Sequence, residues 1–194
     1  MNFLSTLSPT ASQMIRLDHA HVLAQFHKVQ PDASRNVCDA ACKNICDALE
    51  VHAQLEEEIV YPALREAGLN GPVLDKSVPE HDEMRRGIDR LRGLQGQPQE
   101  QLEALCELMN GVMHHVADEE TKLLPMAERR RGKERLSELG ARMTKRRMEL
   151  VAPKVGELAL NMARATPAKT AMMMIGALAA GLLLKRRMRR RYRY

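Results

Sequence analysis

Two stretches of this sequence carry the same ordered set of polar groups. In VHAQLEEEIVYPAL (51–64) His52 stands four residues before Glu56 and ten before Pro62; in HHVADEETKLLPMA (114–127) His115 stands four before Glu119 and ten before Pro125. On a helix, positions i and i+4 differ by about 40° around the axis, so each histidine shares a face with its glutamate. That face is apolar, with Ile45 and Leu49 beside His52 and Leu108 and Val112 in the same relation to His115. Imidazole and carboxylate on a buried stripe are costly unless hydrogen bonds or a cation neutralise them.

Two more histidines point the same way. His19 falls among Ile15, Val22, Leu23 and Phe26, and His81 among Met84 and Ile88; Asp18-His19 and Glu80-His81 lie 62 apart, while the two His-x-x-x-Glu sets lie 63 apart. The chain therefore reads as two copies of an αα-hairpin, and four helices each contribute an inward nitrogen. Facing helices that supply histidine and carboxylate are how a bundle core holds two adjacent metal ions. Imidazole plus carboxylate suits iron, with zinc and manganese open from ligand type alone. Glu120, five after His115, is an alternative carboxylate with Glu57 as its repeat mate; the alignment with Glu56 favours Glu119.

The elements that must position these groups follow from periodicity and punctuation. The spacing predicts helices over about 10–29, from an N-cap at Asp32 or Ser34 to about Ala67 with Gly68 as the stop, over 77–94, and over 98–131 with a stop at Gly132. Short connections make neighbours antiparallel, giving an all-α, up-down-up-down four-helix bundle over 10–131. A basic helical stalk or linker is expected over 132–168, broken at Pro153. The remainder, 169–194, holds a short apolar helix, AMMMIGALAAGLLL, and closes on KRRMRRRYRY. Pro62 and Pro125 are expected to bend their helices near the ends.

Composition agrees with helices. There are 13 Met but only two Phe, three Tyr and no Trp, so the core must be aliphatic and β-sheet packing is disfavoured. The net charge of +5 conceals a split: residues 1–128 hold 11 Lys/Arg against 21 Asp/Glu and all seven histidines, whereas 129–194 hold 19 against four. Cys38, Cys42 and Cys46 recur at i, i+4 and i+8, as packing residues of a helix do, and do not form a secreted disulfide framework.

Taken together, DHAHV around His19, HAQLEEEIVYPAL at 52–64, EHDEM at 80–84 and HVADEETKLLP at 115–125 resemble the hemerythrin-like proteins with an HHE cation-binding domain, over about residues 10–130. The resemblance implies a non-haem di-iron site in which Glu56 and Glu119 bridge two Fe ions and His19, His52, His81 and His115 are terminal ligands. It also implies binding or sensing of O2, peroxide or nitric oxide. Oxygen carriers of this kind have a further histidine one turn before the position of His81; here it is Ser77, so one iron loses a ligand and a sensor or redox-reactive site is expected over a reversible carrier. Binding is preferred to turnover. A di-iron enzyme that consumes peroxide or donates iron for repair, and an iron store or membrane scaffold, are the alternatives.

The tail suggests a second partner. Its 14 uncharged residues are shorter than a bilayer core requires, yet Lys169 and Lys185 could snorkel. The segment resembles the C-terminal anchors of small bacterial inner-membrane proteins, so a cytoplasmic module attached to the inner membrane or an anionic lipid surface through 169–194 is expected. Gly176/Ala180 and Ala177/Gly181 would equally permit a homo-oligomer through that helix. Nucleic acid is disfavoured, since no DNA-reading fold is visible beside the basic charges.

Overall fold

The computed structural model describes residues 9–30 and 33–152. Helix α1, Ala11–Phe26, starts at a reciprocal cap: the Gln13 N–H donates to Thr10 Oγ1 and the Thr10 N–H donates to Gln13 Oε1. α2, Arg35–Leu55, runs through a π turn, Glu56–Val60, into α3, Tyr61–Glu66; α4 is Pro72–Gly93; α5, Pro98–Asp118, runs through a second π turn, Glu119–Leu123, into α6, Leu124–Val151. Among the described residues there is no strand. The fold is the expected all-α bundle, with α1, α2–α3, α4 and α5–α6 as its antiparallel rods.

Two boundaries differ from expectation. α1 stops at Phe26, and α4 begins at Pro72 and carries Pro79 inside it. A proline at the first helical position lacks only an N–H that would be unpaired there anyway, so Gly71-Pro72 starts a helix instead of extending the turn.

Pro62 and Pro125 each follow a change in helix geometry. Ahead of each, the helix widens: the Tyr61 N–H donates to the Glu56 carbonyl and the Leu124 N–H to the Glu119 carbonyl, five residues back instead of four. Such π bulges recur at functional sites. Here both begin on the two glutamates of the repeat.

Gly132 takes φ 71°, which favours glycine, and the chain turns back there. The distal arm of α6, residues 133–151, buries Leu136, Leu139 and Met143 against Ala11, Met14 and Ile15 of α1 and Leu55 and Val60. Arg146 reaches Glu58, and Arg147 grips Asp18 with two bonds of 2.7 and 2.5 Å. Of the segment expected to be a stalk, the part through Val151 thus packs on the bundle, and the packed unit extends past residue 131. The rest of it, and the apolar segment 169–194, lie outside the described residues. Among the described residues no helix is long and apolar enough to cross a membrane.

A second apolar cluster, including Val22, Ile45, Leu49, Met84, Ile88 and Leu108, fills the other end of the bundle. Cys42 and Cys46 belong to it, and burial pushes both thiols up to about 12, as suits packing residues. The polar site lies between the two clusters.

Candidate metal centre

All six residues singled out by spacing meet in that middle layer. His19, His52, His81 and His115 are buried, one from each rod, and Glu56 and Glu119 are 0 % and 1 % exposed. Glu56 Oε2 lies 3.3 Å from His52 Nε2, 3.4 Å from His81 Nε2 and 3.9 Å from His115 Nε2. Glu119 Oε2 lies 3.3 Å from His19 Nε2 and 3.4 Å from His115 Nε2. His21, His27 and His114 are exposed and take no part.

Each imidazole turns its other nitrogen outward to a carboxylate. His19 Nδ1 meets Glu120 at 2.8 Å, His81 Nδ1 meets Glu57 at 2.9 Å, His115 Nδ1 meets Glu80 at 2.9 Å, and His52 Nδ1 faces Asp18 at 3.7 Å. The pattern obeys the repeat: the residue after each glutamate serves the histidine of the opposite hairpin, and the residue before His19 or His81 serves its own. Three of these acids are themselves gripped by cations, Asp18 by Arg147, Glu57 by Arg85 at 2.8 Å and Glu80 by Lys76 at 2.8 Å. Arg85 therefore acts through Glu57 and does not point into the site. This outer ring fixes ring orientation and raises the basicity of the inward nitrogens.

Sequence reasoning took Asp18 and Glu80 only as markers of the repeat and Glu57 and Glu120 only as alternative ligands. The doublets Asp-His, Glu-His and Glu-Glu were the available signal. Tyr61 was missed altogether. Its buried hydroxyl donates toward Glu56 Oε2 at 2.8 Å and Glu119 Oε1 at 2.9 Å and lies 3.4 Å from His81 Nε2. At 100° per residue Tyr61 falls off the Glu56 face. The π turn restores it by adding a residue to that turn. Ser77, one turn before His81, is buried with its hydroxyl donating to the Val73 carbonyl at 2.8 Å.

The donor count points to a cation. Tyr61 has one proton for two carboxylates, and His19 Nε2, Glu56 Oε1 and Glu119 Oε2 are buried with no hydrogen-bond partner. Orphaned acceptors at such depth are expensive unless a positive charge meets them. Ligand atoms converge in two groups, His52, Glu56, His81 and His115, and His19, His52 and Glu119, each within 4.8 Å. The donor set of imidazole nitrogen and carboxylate oxygen fits a divalent first-row metal.

Protons hold the place of the metal when it is absent. Burial would keep His115 neutral, but Glu119 and Glu56 override it and push its pKa up to about 11; His19 is likewise raised, against burial, by Glu119 and Glu120. Glu56 is held well below the usual carboxylate range, the three imidazoles outweighing burial. Burial and the two carboxylates raise the Tyr61 phenol so far that it stays protonated. The raised His115 imidazole stabilises the metal-free fold fully below its unfolded value near 6.5, and that stabilisation falls away as pH rises from there through about 11; His19 acts in the same direction. Metal needs the imidazoles neutral. Loading the metal-free protein in weak buffer at pH 7 is therefore expected to release at least one proton per chain, and affinity should fall from pH 8 to pH 6. Uptake without proton release, read with an indicator dye, would contradict this.

The sequence model of the hemerythrin HHE cation binding domain matches residues 10–127 and 73–180. A DNA nickase from Nostoc sp. (strain PCC 7120) is 28 % identical over 110 residues, 57 % of this chain and 31 % of that protein. The chain thus spans about a third of the length of that relative. No solved structure matches the chain.

Proposed function

This chain belongs to the hemerythrin HHE cation-binding family, and from that premise we propose that it holds a pair of iron ions and binds or senses O2, peroxide or nitric oxide. The observation that carries the reading is the buried ring of four imidazoles and two carboxylates whose inward atoms lack enough hydrogen-bond donors. A ferrous pair would supply electrons and open coordination positions for a small oxidant. His19, His52, Glu56, His81, His115 and Glu119 would hold it. Asp18, Glu57, Glu80 and Glu120 orient the rings, and the apolar layer around Val22, Leu49 and Met84 keeps water out. Ser77, one turn before His81, donates its hydroxyl proton to the Val73 carbonyl of its own helix.

Tyr61 gives the site a proton of its own. The phenol is poised between the two carboxylates and can donate to a ligand arriving beside them. Tyr61→Phe keeps the ring and its stacking on His81 at 5.7 Å while removing the donor. The variant is expected to retain its metal but to slow air oxidation by about 100-fold, the low end of what a positioned hydrogen-bond donor contributes. Equal rates in stopped-flow absorption would reduce Tyr61 to packing.

Anaerobic titration of the iron-loaded protein with O2, peroxide and nitric oxide tests the function. A stoichiometric absorption change supports binding or sensing, and steady consumption of peroxide would move the reading to an enzyme. The likeness to a DNA nickase supports a second reading, in which the same metals act on DNA and exposed Arg129, Arg130, Lys133, Arg135, Arg142 and Lys145 meet phosphates. Supercoiled plasmid nicked by the protein but not by a Glu56→Ala variant would favour it. Attachment to an anionic membrane through 169–194 belongs to the first reading, and flotation with anionic vesicles tests it.

A further inference from the structure

A groove of about 350 Å3 runs between α4 and α5 and ends on His115. Gly111 leaves it open, while Gly87 lets Leu108 pack close. A Cβ at Gly111 would meet nothing within 4 Å, and one at Gly87 would press on Leu108 at 3.0 Å. Inward of it lies a cavity of about 10 Å3 against His19, His52 and His115, walled by Val22, Leu49 and Val116. Met84, Val112 and His115 line both spaces and are 5 %, 4 % and 2 % exposed; His115 is a site residue, so Met84 and Val112 are the apolar side chains between the groove and the cavity. A space of that size is at the threshold for a single water-sized molecule, and the surface it exposes is apolar although Asp18 and the three imidazoles border it. Three glutamates, Glu80, Glu83 and Glu107, stand along the groove against Arg90, which is paired to Glu107. Each of the three is paired to a cation, Glu80 to Lys76, Glu83 to Arg86 and Glu107 to Arg90, so the mouth carries little net charge.

We propose that this groove is the port through which an uncharged diatomic molecule reaches the metal-binding residues, and that Met84 and Val112 are its gate. The inference rests on the reading of the site as a centre for small oxidants and gases, and it names which of them the fold admits most readily. Rotation of the flexible Met84 side chain would join the two spaces.

A removable plug tests the port. In a Cys38→Ser, Cys106→Ser background, Gly111→Cys is tagged through a disulfide with a benzyl-sized group, and Ala20→Cys on the exposed side of α1 carries the same tag as control. With iron content unchanged, the Gly111 tag is expected to slow nitric oxide association at least tenfold in stopped-flow absorption. Removing the tag should restore the rate, and the Ala20 tag should leave it alone. A rate within twofold of untagged protein overturns the port. An iron-loaded protein that gives no response to nitric oxide even untagged would instead sink the functional reading. The port is then decided without iron chemistry, by methionine-methyl NMR under xenon. A shift of the Met84 methyl, assigned with Met84→Leu and abolished by the Gly111 tag, supports it, and an unmoved Met84 signal refutes it.

Discussion

Replacing Glu56 with alanine is expected to strip the protein of its metal, lowering affinity by more than about 100-fold, the upper end of what outer partners of a site contribute. Glu56 is fully buried and its Oε2 is shared by His52, His81 and His115. Its loss removes a ligand oxygen and the charge that balances three imidazoles at once. In the metal-free protein the same change breaks a buried ion pair, at a cost of about 3–5 kcal/mol. Glu56→Gln separates the effects, keeping shape without charge. Glu120→Ala is the contrasting case, since Glu120 meets only the outer nitrogen of His19; it should weaken metal binding by about 10–100-fold and leave the fold intact. Equal metal loss in Glu120→Ala and Glu56→Ala, measured by elemental analysis, would mean that the inner and outer rings are wrongly divided.

Gly140→Ala is expected to destabilise the fold by about 1–3 kcal/mol, the range for overpacking a tight contact. A Cβ there would overlap the Pro9 carbonyl oxygen and come within 3.1 Å of the Ala11 nitrogen. Those atoms are backbone and cannot rotate away, so the distal arm of α6 must back off from α1. At an unobstructed helical position the same substitution would stabilise by up to about 1 kcal/mol, so the sign alone is diagnostic. Because that arm carries Arg147 onto Asp18 and Asp18 faces His52, some loss of metal affinity should accompany the lower urea midpoint. A raised midpoint would show that residues 133–151 do not pack on the bundle in solution.

Much of this was legible in the sequence because it is written twice. Histidine and glutamate at helical spacing on an apolar stripe could only face inward, and the second copy in register made coincidence a poor explanation. What escaped has a physical cause in each case. The π turns change the angle per residue just where the site is built, which hid Tyr61 behind arithmetic that holds for ordinary helix. The outer acids were visible as doublets, but which histidine each serves depends on the packing of one hairpin against the other. In the basic arm, charge masked a real apolar stripe: Leu136, Leu139 and Met143 recur at three and four residues among many arginines and lysines, and only the turn at Gly132 brings them back to α1.

The most direct test of a di-iron centre is metal content per chain in anaerobically purified protein, followed by absorption spectra before and after air. The expected result is about two irons per chain, as the ligand set of a bundle-core metal pair requires, with a new near-ultraviolet charge-transfer band on oxidation. Stoichiometric zinc, or a folded bundle that holds no metal, would contradict it.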